Sequence, residues 1–252
     1  MNKRRAQEFR KLRAEELRRF AQILLEEEAV RDAGPLLSAA AMCARQVIID
    51  RHEYWGYSFH GLEFYDVDME SLRHARPEGA DELKLELSIA LKGPCLDDNS
   101  PDDPFTILNV DFVTVGRGTD GRELRCAWHL DKHIKAVGDN PSTLVHPDYH
   151  FQHGGKNVWS LNDYGSSLIL ETPRLPHPPL DAILAVDFIL SNYYGKRWES
   201  MHIDNSDYQD LVKAAQERCW MPYAFSTATI CKTIVATSPW KPKLIWPQLV
   251  LN

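Results

Sequence analysis

Phe9, Leu12, Leu17, Phe20 and Leu24 recur at helical spacing, and this pattern predicts an amphipathic helix over residues 3–30. DAGP at residues 32–35 interrupts it. Residues 36–51, LLSAAAMCARQVIIDR, predict a second and more buried helix. The aromatic stretch EYWGYSFHGLEFYDVDM suits strands or an ordered connection, and HARPEGAD marks a turn-rich boundary. The period then changes. In LKLELSIAL, Leu83, Leu85, Leu87, Ile89 and Leu91 alternate strictly with other residues, as in a half-buried strand. FTILNVDFVTV (Phe105–Val115) carries apolar residues at both parities and predicts a central strand covered on both faces. GRGTDG links it to ELRCAWHL as a hairpin. LDAILAVDFILSNYY and SDYQDLVKAAQERCW predict two further helices, the second with Ser206 as N-cap. The tail PWKPKLIWPQLVLN has too many prolines for regular structure. These elements predict an α+β fold, an antiparallel β-meander flanked by helices. Residues 1–52 form an N-terminal helical extension and residues 53–252 an α+β domain with a His-rich site.

Composition adds limits. The chain has 252 residues, 44% hydrophobic and 26% charged, enough for a sizeable core. No apolar run approaches the roughly 18–20 residues that span a bilayer, and MNKRRAQEFRKLR lacks the apolar centre of a secretory signal. Five cysteines, Cys43, Cys95, Cys126, Cys219 and Cys231, show no C-x-x-C spacing and fit reduced thiols, so a cytoplasmic protein without a membrane partner is expected. Cys126 alternates with core residues and reads as buried, and Cys219 reads as packed. The formal net charge of −7 argues against a polycation. Lys3 to Arg19 is locally basic, which fits either a phosphate-binding arm or a solvated helix with opposite charges a turn apart.

Candidate chemistry concentrates between His129 and His177, where six of the ten histidines fall. HLDKH (His129–His133) and HPDYH (His146–His150) both read His-x-Asp-x-His. On a strand, Leu124, Cys126, Trp128 and Leu130 would face the core, leaving His129, Asp131, His133 and Arg125 on the opposite face. In HPDYHFQH, Tyr149 and Phe151 would point inward and His146, Asp148 and His150 outward, with Pro147 weakening the start of the strand. If the segments pair, imidazoles and carboxylates share one surface. That surface suits a divalent metal, with His146 and His150 as ligands. It suits equally metal-free proton transfer, with His146, His150, His129 and His133 as acid–base groups and Asp131 and Asp148 orienting them. A wet polar sheet face is the plain alternative, since no spacing matches a zinc motif such as H-E-x-x-H. The glycines of HGG permit close backbone approach and would place His153 beside a ligand. Glu171, Arg174 and His177 precede a helix, where Arg174, His153 and His177 are candidate substrate contacts. Asp187 sits on an apolar stripe and needs a partner, for which Arg174 or a histidine is expected.

Two family resemblances follow from these residues. HPDYHFQHGG followed by PRLPHPPLDAILAVDF resembles small bacterial proteins of toxin–antitoxin and phage-defence loci, including TumE-type toxins, over residues 83–195. The matching positions are His146, His150, His153, Asp187 and Phe188. The resemblance implies a conflict-related, nucleolytic activity, with an antitoxin or defence-complex subunit as protein partner and nucleic acid as a candidate substrate. The order of elements is also similar to ubiquitin-conjugating enzymes, with HPD (His146–Asp148) in place of their His-Pro-Asn and GSSLIL where their catalytic Cys segment lies. No cysteine occurs between Cys126 and Cys219, so this likeness implies a non-catalytic interaction module. The expected function is thus a His/Asp-site hydrolase or nuclease of a defence setting, with that module as its alternative.

Overall fold

The computed structural model describes residues 1–67, 80–97, 100–132, 145–159, 161, 170, 173–228 and 242–245. Helix α1 (Lys3–Glu26) begins where the Asn2 side chain accepts the Arg5 N–H at 3.0 Å. Ala6, Ala14, Leu17, Phe20, Ala21 and Leu24 form its buried stripe. The helix ends four residues before the expected position 30. Glu28 has φ 52°, which turns the chain back so that the Ala29 N–H bonds to Leu24 O at 2.8 Å. The basic run on α1 is divided: Arg4 pairs with Glu8 at 3.0 Å and Arg18 with Glu15 at 3.1 Å on the solvated face, a turn apart, whereas Arg10 and Arg13 are buried.

Helix α2 (Gly34–Cys43) carries Pro35 in its first turn. The helix predicted over 36–51 stops early because Val47-Ile48-Ile49 favours extended backbone. Those residues are strand β1 (Val47–Ile49), paired with β2 (His52–Phe64). Asp50 and Arg51, at φ 48° and 68°, form the two-residue hairpin loop between them.

Five more strands complete the sheet: β3 (Asp81–Pro94), β4 (Ile107–Arg117), β5 (Glu123–Lys132), β6 (Tyr149–His153) and β7 (Leu175–Pro176). All seven pair in chain order, each antiparallel to its neighbours, so the sheet is an uninterrupted meander. The α+β class read from the sequence is the class of the structure. The edge strands are short, three residues at β1 and two at β7, and β7 includes Pro176.

One face of the sheet is the core. Trp55, Tyr57, Leu85, Leu87, Ile89, Leu91, Leu108, Val110, Phe112, Leu130 and Tyr149 are buried on it. Strand β4 is fully buried on this face and only partly covered on the other: Leu108, Val110 and Phe112 are buried, whereas Asn109 is exposed and Asp111 half-buried. This corrects the expectation of a strand covered on both sides. After a single turn of helix, α3 (Lys156–Trp159), the covering layer is completed by α4 (Ala182–Tyr193), α5 (Gly195–Asp204) and α6 (Ser206–Ala228). Asp181 caps α4 by accepting the Leu184 N–H at 3.1 Å. Asn205, not Ser206, caps α6, its Oδ1 accepting the Tyr208 N–H at 3.0 Å. No element is predicted from the sequence for Gly195–Asp204, which is α5. In the proline-rich tail, Pro242–Ile245 forms one helical turn, α7.

Residues of α1 and α2 belong to the same buried cluster as the sheet and α4 to α6. Buried charges in this layer are paired. Arg10 meets Glu53 at 2.7 Å, and Arg218 lies between Glu16 at 3.3 Å and Asp181 at 2.6 Å. No helix among the described residues is long and apolar enough to cross a membrane.

Candidate functional site

The other face of β4, β5 and β6 is where the polar side chains gather. Register places Asp111 opposite His129, Asn109 opposite Asp131, and Asp131 opposite His150. Because strand residues alternate faces, Asn109, Asp111, His129, Asp131, His150 and Gln152 share one surface. The alternation of β5 therefore delivers His129 and Asp131 as the sequence implied. His133 and Glu171 lie outside the described residues.

Three ligand atoms converge. One atom each from His129, Asp131 and His150 lies within 4.8 Å of the others. His129 Nε2 is 3.6 Å from Asp131 Oδ2, and the His129 and His150 ring centroids are 6.2 Å apart with the rings nearly perpendicular. A cation held about 2.1 Å from each ligand sets tetrahedral neighbours about 3.4 Å apart, so small side-chain rotations would close the site. With its amide nitrogen turned inward, Asn109 donates to Asp131 Oδ1 at 3.1 Å and orients that carboxylate.

His150 is the most enclosed member, only 4% exposed, and its Nδ1 has no hydrogen-bond partner among the described residues. Burial first, then the charges of His146, His129 and Arg174, push its pKa down to about 3; the Pro147 carbonyl opposes this. The ring is therefore neutral at physiological pH, which is the form that binds metals. The same shift makes it a poor general base near pH 7, where the ideal pKa lies near the operating pH. The Asp131 carboxyl is raised, chiefly by burial; His129 and Lys156 lower it and Asp111 raises it.

A loop covers this face. Gly154 and Gly155 have φ 91° and 78°, and the Gly154 N–H bonds to Ala127 O at 2.8 Å. A Cβ on Gly155 would sit 3.0 Å from Cε1 and Nδ1 of His129, so the backbone lies directly against that ring. The close approach foreseen for HGG is made, and its neighbour is a candidate ligand. Beyond the glycines, Asn157 Nδ2 donates to Asp111 Oδ1 at 3.1 Å and Lys156 Nζ lies 3.2 Å from Asp111 Oδ2.

The remaining predicted residues divide. His146 packs at the margin, its ring centroid 4.7 Å from that of His150. Asp148 stands just before β6, its backbone N–H donating to Leu244 O at 2.7 Å. Arg174 precedes β7 and acts electrostatically on His150. His153 and His177 do not join the site. His153 has the opposite parity and lies edge-on to Trp128 with centroids 5.0 Å apart. His177 packs on Phe151 at 5.3 Å, its Nδ1 2.6 Å from Pro178 O. Asp187 is satisfied elsewhere, accepting from Trp198 Nε1 at 2.8 Å and Tyr208 OH at 2.7 Å, not from Arg174 or a histidine. Cys126 is exposed rather than buried, 3.8 Å from His153 Nε2, because the apolar face thins out toward that end of β5.

Asn109, Asp111, Lys156 and Asn157 were missed by the sequence reading. The signal existed: Asn109 and Asp111 are polar residues two apart in an otherwise apolar strand, which places them on one face. A separate cleft of about 250 Å³, lined by Phe9, Arg13, Trp55, Arg218, Met221 and Phe225 among others, includes none of the site residues. Comparison with protein-family models, curated proteins and solved structures finds no match for the chain.

Proposed function

We propose that the polar face of β4 to β6 is a divalent-metal centre with His129, Asp131 and His150 as protein ligands, and that the protein is a metal-assisted hydrolase. The carrying observation is His150, an enclosed, neutral imidazole: one of its ring nitrogens lies within 4.8 Å of ligand atoms of His129 and Asp131, and its Nδ1 has no hydrogen-bond partner among the described residues. A buried polar nitrogen without a partner costs about 1–3 kcal/mol, and convergence of donors around it is what a metal site requires. Two imidazoles and one carboxylate suit zinc, manganese or iron and leave coordination positions for water and substrate. His146, expected from the sequence as a ligand, is not among the converging atoms and would serve from beside His150 to hold a water. A cation would also compensate the Asp131 carboxylate, which burial now disfavours. Nucleolytic chemistry and a toxin–antitoxin or phage-defence setting rest on the likeness of the HPDYHFQHGG segment, and a cytoplasmic location on the thiol pattern.

Titration of the metal-free protein with Zn2+, Mn2+ and Fe2+ tests the centre. One equivalent should bind, and at a hundredfold excess over Kd it should stabilise the fold by about 2.7 kcal/mol. Asp131→Asn and His150→Ala should each lose roughly a hundredfold in affinity, and His153→Ala should lose nothing. Equal binding in all four proteins, or none in any, would remove the metal centre. An interaction module without catalysis would then be the better reading.

A further inference from the structure

Helix α2 is apolar on every side, yet only one side is covered. Between Gly34 and Cys43 it carries no charged residue, a composition that suits a helix buried all round. Leu36, Ala39, Ala40 and Cys43 are buried against the rest of the molecule. Leu37, Ser38, Ala41 and Met42 are exposed, Leu37 by 48% and Met42 by 36%. Single exposed apolar side chains are common on any surface, but a contiguous strip without a charge marks a contact. Ile48 of β1 extends the strip. It pairs with Glu53, whose carboxylate meets Arg10 of α1, so Ile48 lies on the helical side of the sheet, and it is 57% exposed.

The order of sizes along the helix indicates what covers it. Leu37-Ser38-Ala39-Ala40-Ala41-Met42 runs large, small, buried, buried, small, large, and is the same from either end. A two-fold axis between Ala39 and Ala40 sets Leu37 of one copy against Met42 of the other, and Ser38 against Ala41. Such self-complementarity is what an isologous dimer requires. Small side chains at the crossing let the two backbones approach closely. The ends of the helix agree in charge. Asp32 precedes it, with Oδ1 accepting the Gly34 N–H at 2.7 Å, and Arg45 follows it. Both are exposed, and neither is in an ion pair among the described residues. Antiparallel packing brings Asp32 of each copy toward Arg45 of the other and opposes the two helix dipoles. Of the other charges flanking α2, Arg31 pairs with Asp66 at 3.5 Å and covers the Tyr65 ring, and Asp50 and Arg51 lie in the hairpin loop beyond β1.

We infer that two copies of the chain associate through the exposed strip of α2, antiparallel across a two-fold axis. A single helix face covers less than the roughly 800 Å² per partner of a standard interface, so the dimer is weak, with Kd in the micromolar range. The strip lies on the helical side of the sheet, away from His129, Asp131 and His150, and the inference is independent of the metal centre.

Sedimentation equilibrium of the full-length protein across the micromolar range tests this. The average mass should rise with concentration from that of one chain toward that of two, and no further. Ala41→Glu sets a carboxylate on each side of the crossing and should weaken the dimer by about a hundredfold or more. Position 41 is exposed and Glu is a good helix former, so the variant retains the fold. Arg45→Glu places like charges at both ends of the contact and should weaken the dimer by about tenfold. Added salt should reduce that difference. Met221→Glu removes a comparably exposed apolar side chain from α6 and should change nothing. Equal unfolding temperatures in dilute samples check the fold of each variant. A single-chain mass at every concentration, growth beyond two chains, association indifferent to Ala41→Glu, or association lost equally in Met221→Glu overturns the inference.

Discussion

At the scale of a single residue, His150 ties stability to pH. In an unfolded chain an imidazole titrates near 6.5, whereas here burial and the neighbouring charges bring it to about 3. Between those values the unfolded chain holds a proton that the folded chain does not, so stability rises with pH. The contribution is complete above about pH 6.5 and is lost as the pH falls through that value toward 3. From pH 7 to pH 5 the loss is about 2 kcal/mol. His177 is shifted in the same direction, by burial, and adds to the slope. Urea unfolding of metal-free protein at the two pH values measures this. His150→Gln should flatten the dependence by most of that 2 kcal/mol, and an unaltered slope in the variant would assign the effect to other groups. Added metal should steepen the dependence, since ligation requires the neutral imidazole and protons then compete with the cation.

At the scale of elements, the loop of Gly154 and Gly155 is what brings the site together from above, as the strands do from below. Gly155→Ala would force a side chain onto a backbone at φ 78° and press its Cβ to 3.0 Å from the His129 ring. The expected outcome is a destabilisation of about 1–2 kcal/mol. A loss of metal affinity should accompany it, read by the same titration, because His129 must rotate away. Gly61, whose Cβ would meet nothing within 4 Å, serves as the control for strain without displacement. Much of this arrangement was legible in the chain. Alternation alone placed His129 with Asp131, and His146, Asp148 and His150 on the outward face of their own segment, because parity is a local property of extended backbone. What alternation could not supply was register. Whether β5 sets Asp131 or another residue against His150 depends on turns and on packing of the opposite face. His153, expected as a substrate contact, is three residues from His150, so it points the other way, toward Trp128. Asp187 was legible as a buried carboxylate in need of a partner. Its partners, Trp198 and Tyr208, come from α5 and α6, whose packing no short pattern reveals.

At the scale of the molecule, one guanidinium joins three parts of the chain. Arg218 on α6 meets Glu16 on α1 and Asp181 at the start of α4. Arg13 meets the second oxygen of Glu16 at 2.7 Å. Burial of a charge costs several kcal/mol, so such a group holds only while its partners remain. The desolvation that raises the Glu16 carboxyl is opposed first by Arg218 and then by Arg13. Arg218→Ala would leave Asp181 and Glu16 short of a counter-ion and should destabilise the protein by about 3–5 kcal/mol. Denaturant unfolding at pH 7 checks the value, and a loss under 1 kcal/mol would show that water reaches the network. The N-terminal helix thereby takes part in the cooperative unit that holds the sheet, and hence in the rigidity of the proposed metal ligands on its far side. The abbreviated margins of the meander have a different consequence. At β7 only two residues are extended, one of them a proline, which leaves little main chain for a stranger to zip onto. The opposite flank differs: β1 pairs with His52–Tyr54 alone, so the longer part of β2 forms that margin, and growth through shared strands would begin there.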